Sequence, residues 1–140
     1  MTFRIEFGGG DPDEDGYRTG VIQLGELPES FRAQVRAHWR ESDYEASWRA
    51  ALERGLAGQP AALITDAKPG NWFATWWPLY PRPGGGLFVQ QQLLFEEPGG
   101  WSWSEPWEHV PERETESEDG PISEWTLSEA EVQAWLDARH

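Results

Sequence analysis

The chain has 140 residues and a formal net charge of −14, with 25 Asp plus Glu against 11 Lys plus Arg. That length predicts a single domain spanning 1–140, and the charge argues against direct binding of DNA or RNA, because the surface repels phosphates. The absence of cysteine excludes a disulfide scaffold, a thiolate zinc site and a cysteine nucleophile. No apolar run approaches the ~20 residues that span a bilayer, and the N-terminus lacks the layout of a signal peptide, so a cytoplasmic address with no membrane partner is expected. Ten tryptophans stand out. Rings that each bury roughly 150–250 Å² can build a core even at 38% hydrophobic content.

Phe3, Ile5 and Phe7 alternate with Arg4 and Glu6, the period of a half-buried strand. The run from Gly8 to Gly16 is loop chemistry, and Tyr17 to Leu24 predicts a second strand closing a hairpin. After Leu27-Pro28 a short helical or irregular stretch is expected, because Phe31, Val35 and Trp39 fall at helical spacing. Ser42 with Glu45 reads as a capping box. It would open a helix that carries Tyr44, Trp48, Ala51, Leu52 and Leu56 on one face and stops at Gly58.

Beyond the helix the pattern predicts strands at Ala61 to Thr65, Asn71 to Tyr80 and Leu87 to Phe95, with short separators that favour antiparallel neighbours. Trp101 to Val110 carries no clear period. Pro111 to Gly120 is an acidic connector, Ile122 to Leu127 a final strand, and Ser128 with Glu131 a second capping box. That box opens a closing helix with Val132, Trp135 and Leu136 inward. The sum is an α+β domain, mostly antiparallel β-sheet with two or three helices packed on it.

Asp11, Asp13, Asp15 and Gly16 match the first half of a calcium loop, but Ile22 stands where the bidentate Glu belongs. An acidic hairpin tip accounts for the same residues. His38, His109 and His140 have no zinc-site spacing, and Gly8–Gly10 and Gly84–Gly86 lack the lysine and helix of a phosphate loop. No catalytic, metal or cofactor-binding residues are therefore expected. Trp101, Trp103, Trp107 and the pair Trp76-Trp77 either fill the core or form an aromatic platform for sugars, with Trp101 and Trp103 on one face of a strand. Scattered carboxylates also leave an enzyme open, although no two are singled out by their surroundings.

From Glu105 to Glu124 there are eight acids and one base, Arg113, a net charge of −7. Such a run is ordinarily a solvated loop. The alternative is a surface shaped to meet a basic partner, where complementary charge sets association rate and partner choice.

Ser42-Asp43-Tyr44-Glu45 with Trp48 and Ala51-Leu52, then Ala62-Leu63-Ile64-Thr65 and Trp77-Pro78-Leu79-Tyr80, form a recognisable series. It continues through Gln90-Gln91-Gln92-Leu93, Arg113 and Gly120-Pro121-Ile122-Ser123-Glu124-Trp125. Together these stations resemble immunity proteins of bacterial contact-dependent growth inhibition and related polymorphic toxin systems. The resemblance implies a non-catalytic cytoplasmic protein that binds the C-terminal toxin domain delivered by a sister cell, often a basic nuclease, and blocks it. On that reading Glu108, Glu112, Glu114, Glu116, Glu118 and Asp119 are the expected partner-binding residues. A carbohydrate-binding module built on the tryptophans is the alternative.

Overall fold

The structure, a computed structural model, describes residues 3–70, 72–118 and 120–138. The fold is α+β and every strand pair described is antiparallel. β1 (Arg4–Phe7) and β2 (Tyr17–Leu24) pair as the alternation predicts, with Ile5 and Ile22 opposite one another and buried.

The next element corrects the sequence reading. Residues 27–34 form a strand, β3 (Leu27–Gln34), which completes a three-stranded sheet in the order β1-β2-β3. A spacing of four satisfies both periods, so Phe31 and Val35 fit a helix or a strand; buried Ala33 between them marks the strand. The turn itself is Gly25-Glu26. Gly25 has φ of +83° while no other residue type in the described chain has positive φ, the pattern of a two-residue II′ hairpin.

α1 (Glu41–Leu56) buries Tyr44, Trp48, Ala51 and Leu52 completely. Its cap lies two residues before the predicted one. Arg40 is the N-cap, and the N3 acid Asp43 accepts a hydrogen bond from the Arg40 N–H at 2.9 Å, so Ser42 lies inside the first turn. An acid at N3 can satisfy an orphan N–H whatever the N-cap side chain is. At the other end Gln59 N–H bonds to Arg54 C=O and Gly58 N–H to Gly55 C=O, a Schellman stop at the predicted glycine.

The second sheet has the order β10-β6-β5-β4, from β4 (Ala61–Lys68), β5 (Phe73–Pro81), β6 (Leu87–Gln90) and β10 (Glu124–Leu127). β7 (Gln92–Leu94) also pairs with β5. The predicted strand Leu87 to Phe95 is thus two pieces in one register, interrupted opposite Trp77-Pro78, where proline offers no N–H to the ladder. The acidic connector contains a small hairpin, β8 (Glu116–Ser117) with β9 (Gly120–Pro121). α2 (Glu129–Asp137) closes the chain on the predicted capping box: Glu131 N–H to Ser128 Oγ at 3.0 Å and Ser128 N–H to Glu131 Oε1 at 3.2 Å.

The register places Leu63, Trp77, Leu79, Leu87, Val89 and Leu127 on one face of the second sheet. That face meets Gly55 of α1 at Leu87, and Ile22 and Leu24 of the first sheet at Trp77. α1 also covers the outer edge of β4, which carries a bulge between Ile64 and Asp66. Trp48 Nε1 donates to Ile64 C=O at 2.7 Å, and the Tyr44 hydroxyl accepts from Ala67 N–H while donating to Gln34 C=O. Those bonds blunt an edge strand and join the two sheets. Burial pushes the Tyr44 phenol above its ordinary pKa, so the hydroxyl remains a donor. Trp135 of α2 donates to Ile5 C=O at 3.1 Å, so indole N–H groups on both helices satisfy strand carbonyls.

Candidate functional site

The opposite face of the second sheet carries Ile64, Trp76, Tyr80, Phe88 and Gln90 by the same alternation. A strap of chain, residues 95–118 and 120–123, runs across it. Trp101 packs on Trp76 with ring centroids 5.6 Å apart, and a 3-10 turn at Pro106–His109 leads into the acidic segment.

One side-chain node fastens that segment. Arg113 lies over the Phe88 ring, 3.7 Å from its centroid, and grips Glu124 with two hydrogen bonds of 2.8 and 2.6 Å. Gln90 Nε2 donates to both Glu124 Oε2 and the Glu114 carbonyl. The Arg113 guanidinium, seconded by Gln90, holds the Glu124 carboxyl below its ordinary pKa, against a smaller opposing effect of partial burial. Forked arginine–carboxylate geometry is rigid as well as strong. Glu124 is therefore structural, and its charge is balanced.

The acids from Glu108 to Asp119 are different. Glu108, Glu112, Glu114, Glu116 and Glu118 are all exposed, and the ion pairs of the described chain engage other carboxylates. Glu108 sits on the 3-10 turn, Glu112 and Glu114 flank the Arg113 anchor, and Glu116 and Glu118 lie in or beside β8. Asp119 lies outside the described residues. Five uncompensated carboxylates thus ride on a segment pinned at its centre, which limits how far they can relax away from a partner. Gln90, Arg113 and Glu124 belong to the family resemblance, but no local pattern joins them to one another or to Phe88; only the fold does.

The tryptophans do not form the strand platform. Trp76 and Trp77 are both buried, because both faces of the second sheet are covered. Trp76 Nε1 donates to Gln92 Oε1 and Trp77 Nε1 to Thr65 Oγ1. Trp101 and Trp103 stand nearly perpendicular, 5.2 Å apart at 87°, in a segment that Gly99, Gly100 and Pro106 keep out of any ladder. Trp103 instead packs on Trp39 and Trp72. His38 stacks on Trp39, while His109 lies half-buried against Trp101; His140 is outside the described residues.

At the Asp-rich turn, Asp13 Oδ1 accepts the N–H groups of Asp15 and Tyr17, and Oδ2 accepts from Arg32 at 2.8 Å. The Tyr17 N–H foremost, with Arg32, lowers the Asp13 pKa. This carboxylate is spent on its own hairpin turn.

Fold and site together define an α+β scaffold that presents an open, acidic surface on a fastened strap. The family model of the CdiI N-terminal domain matches residues 35–135, from the end of β3 into α2. Among solved structures, a chain of the CdiA-CT/CdiI toxin and immunity complex from Enterobacter cloacae superposes with a TM-score of 0.84 and 26% sequence identity. That match covers 98% of this chain and 97% of the other, so it includes the first sheet as well. No curated protein sequence matches the chain. The chain belongs to the CdiI N-terminal domain family, the immunity proteins of contact-dependent growth inhibition, as the resemblance implied. Among the described residues no helix is long and apolar enough to cross a membrane.

Proposed function

We propose that this chain acts as a single domain, without catalysis, to bind and neutralise a cognate CdiA-CT toxin domain in the cytoplasm. Family membership and the likeness to a chain of a toxin and immunity complex support the reading. The observation that carries its finer part is the pinned strap with five exposed, unpaired glutamates. A nuclease toxin must hold phosphates with basic residues, and an acidic inhibitor answers the same charges. Glu108, Glu112, Glu114, Glu116, Glu118 and Asp119 then lie on or beside the toxin-binding face, and the toxin is a basic nuclease.

Rim charges act chiefly on association rate and its salt dependence. Reversing Glu114, Glu116 and Glu118 to lysine together is expected to slow association on the order of tenfold at low salt and to flatten its salt dependence. The fold should survive, since all three side chains are exposed. Association kinetics with the cognate toxin domain at two salt concentrations provide the check. A triple variant that binds and protects cells like the wild type removes this surface from the interface.

A further inference from the structure

A groove of about 500 Å³ runs between the outer face of α1 and the tryptophan-rich part of the strap. One wall is Asp43, Ala46 and Ala50, which share a helix face; the other is Trp103 and Trp107, with Trp39 at the end. Ala46 and Ala50 are exposed and too small to fill it. Three half-exposed indoles beside a carboxylate form an unusual lining, since large aromatic surface in a groove marks a binding site more often than a solvated wall.

Building on the toxin reading, we infer that this groove is the anchor pocket for one arginine side chain of the toxin. Among the described residues, Asp43 is the one charged residue of the lining, with Arg54 outside it, so the groove favours a cation. Asp43 lines the groove and its Oδ2 accepts from the Arg40 N–H, which leaves Oδ1 for a ligand, and exposed Glu105 and Glu108 stand close to Trp107 in the strap sequence. The indole faces select a planar cation over a compact one, because guanidinium stacks on rings and is weakly hydrated. The protein already uses this contact within itself: Arg54 lies 5.1 Å from the Trp107 ring centroid. Trp107 of the groove is the sequence neighbour of Glu108, the first residue of the acidic face, so one toxin surface can reach both. Long-range charge would then guide the encounter, and the buried arginine would slow dissociation.

The test uses the full chain and its cognate toxin domain. Ala50→Arg supplies the groove with its own guanidinium from an exposed helix position. Toxin affinity is expected to fall on the order of 30-fold, mostly through faster dissociation, with an unchanged melting temperature. Asp43→Asn keeps an oxygen for the Arg40 N–H and removes the charge, and it should weaken binding less. An alanine scan of the toxin's arginines should reveal one whose loss is not additive with Ala50→Arg. If the wild-type chain does not bind the toxin, the parent reading fails. If it binds and Ala50→Arg binds equally well, the groove is not an anchor. If Ala50→Arg binds weakly and no toxin arginine couples to it, the arginine assignment is overturned.

Discussion

Replacing Trp48 by alanine should destabilise the protein by about 3–5 kcal/mol, the range for deleting a fully buried large aromatic. Trp48 is completely buried. Its ring lies 5.3 Å from Phe7 and 6.0 Å from Phe31 in the first sheet, and 6.3 Å from Tyr44 on its own helix. The substitution empties the junction of α1 with both sheets. It also strands the Ile64 carbonyl, which accepts from Trp48 Nε1 at 2.7 Å on the edge of β4. An unsatisfied buried acceptor adds about 1–3 kcal/mol of its own when water cannot reach it. Against the ~5–15 kcal/mol that ordinary domains possess, the loss is large. Urea denaturation should show an earlier midpoint; an unchanged midpoint would contradict the packing described for α1.

Gly20→Val provides a test in which two arguments disagree in sign. Gly20 is central in β2, opposite Phe7 of β1 and Phe31 of β3. Strand propensity alone says that valine stabilises this position. The geometry says otherwise. A Cβ there would come within 2.3 Å of Phe31 Cζ and 2.7 Å of the Glu6 carbonyl oxygen. The Phe31 ring lies across the glycine and reaches Phe7 and Trp48 edge-on. Overpacking of this kind costs about 1–3 kcal/mol and more when backbone must move. Thermal unfolding should therefore begin several degrees lower in the variant. A higher melting temperature would show that propensity outweighs the ring contact.

Where local chemistry decides, the sequence was legible. Period-2 alternation marked β1 and β2, the 3.6-residue stripe marked the buried face of α1, and Ser128 with Glu131 capped α2. Where two local signals coincide it was ambiguous. Phe31 and Val35 suit either period, and only pairing with β2 decides for β3. The Asp43 side chain outcompeted the serine beside it for the capping role, because Asp43 lies three residues after the true N-cap. Non-local contacts were invisible. Composition shows that residues 105–124 are acidic, but not that Arg113 stacks on Phe88 and binds Glu124, nor that the strap lies across a sheet. The burial of both Trp76 and Trp77 follows from the same hidden fact, since a single uncovered face would have exposed one of them.

On the proposed function, the strap meets the toxin. Hydrogen–deuterium exchange of the chain, alone and with its cognate toxin domain, reports this directly through the backbone amides. Binding should slow exchange in residues 105–118 and on the first turns of α1, which line the groove, and leave the Asp11 to Asp15 turn unchanged. Protection confined to that turn, or to the exposed Leu93 and Phe95 in and after β7, would contradict the account.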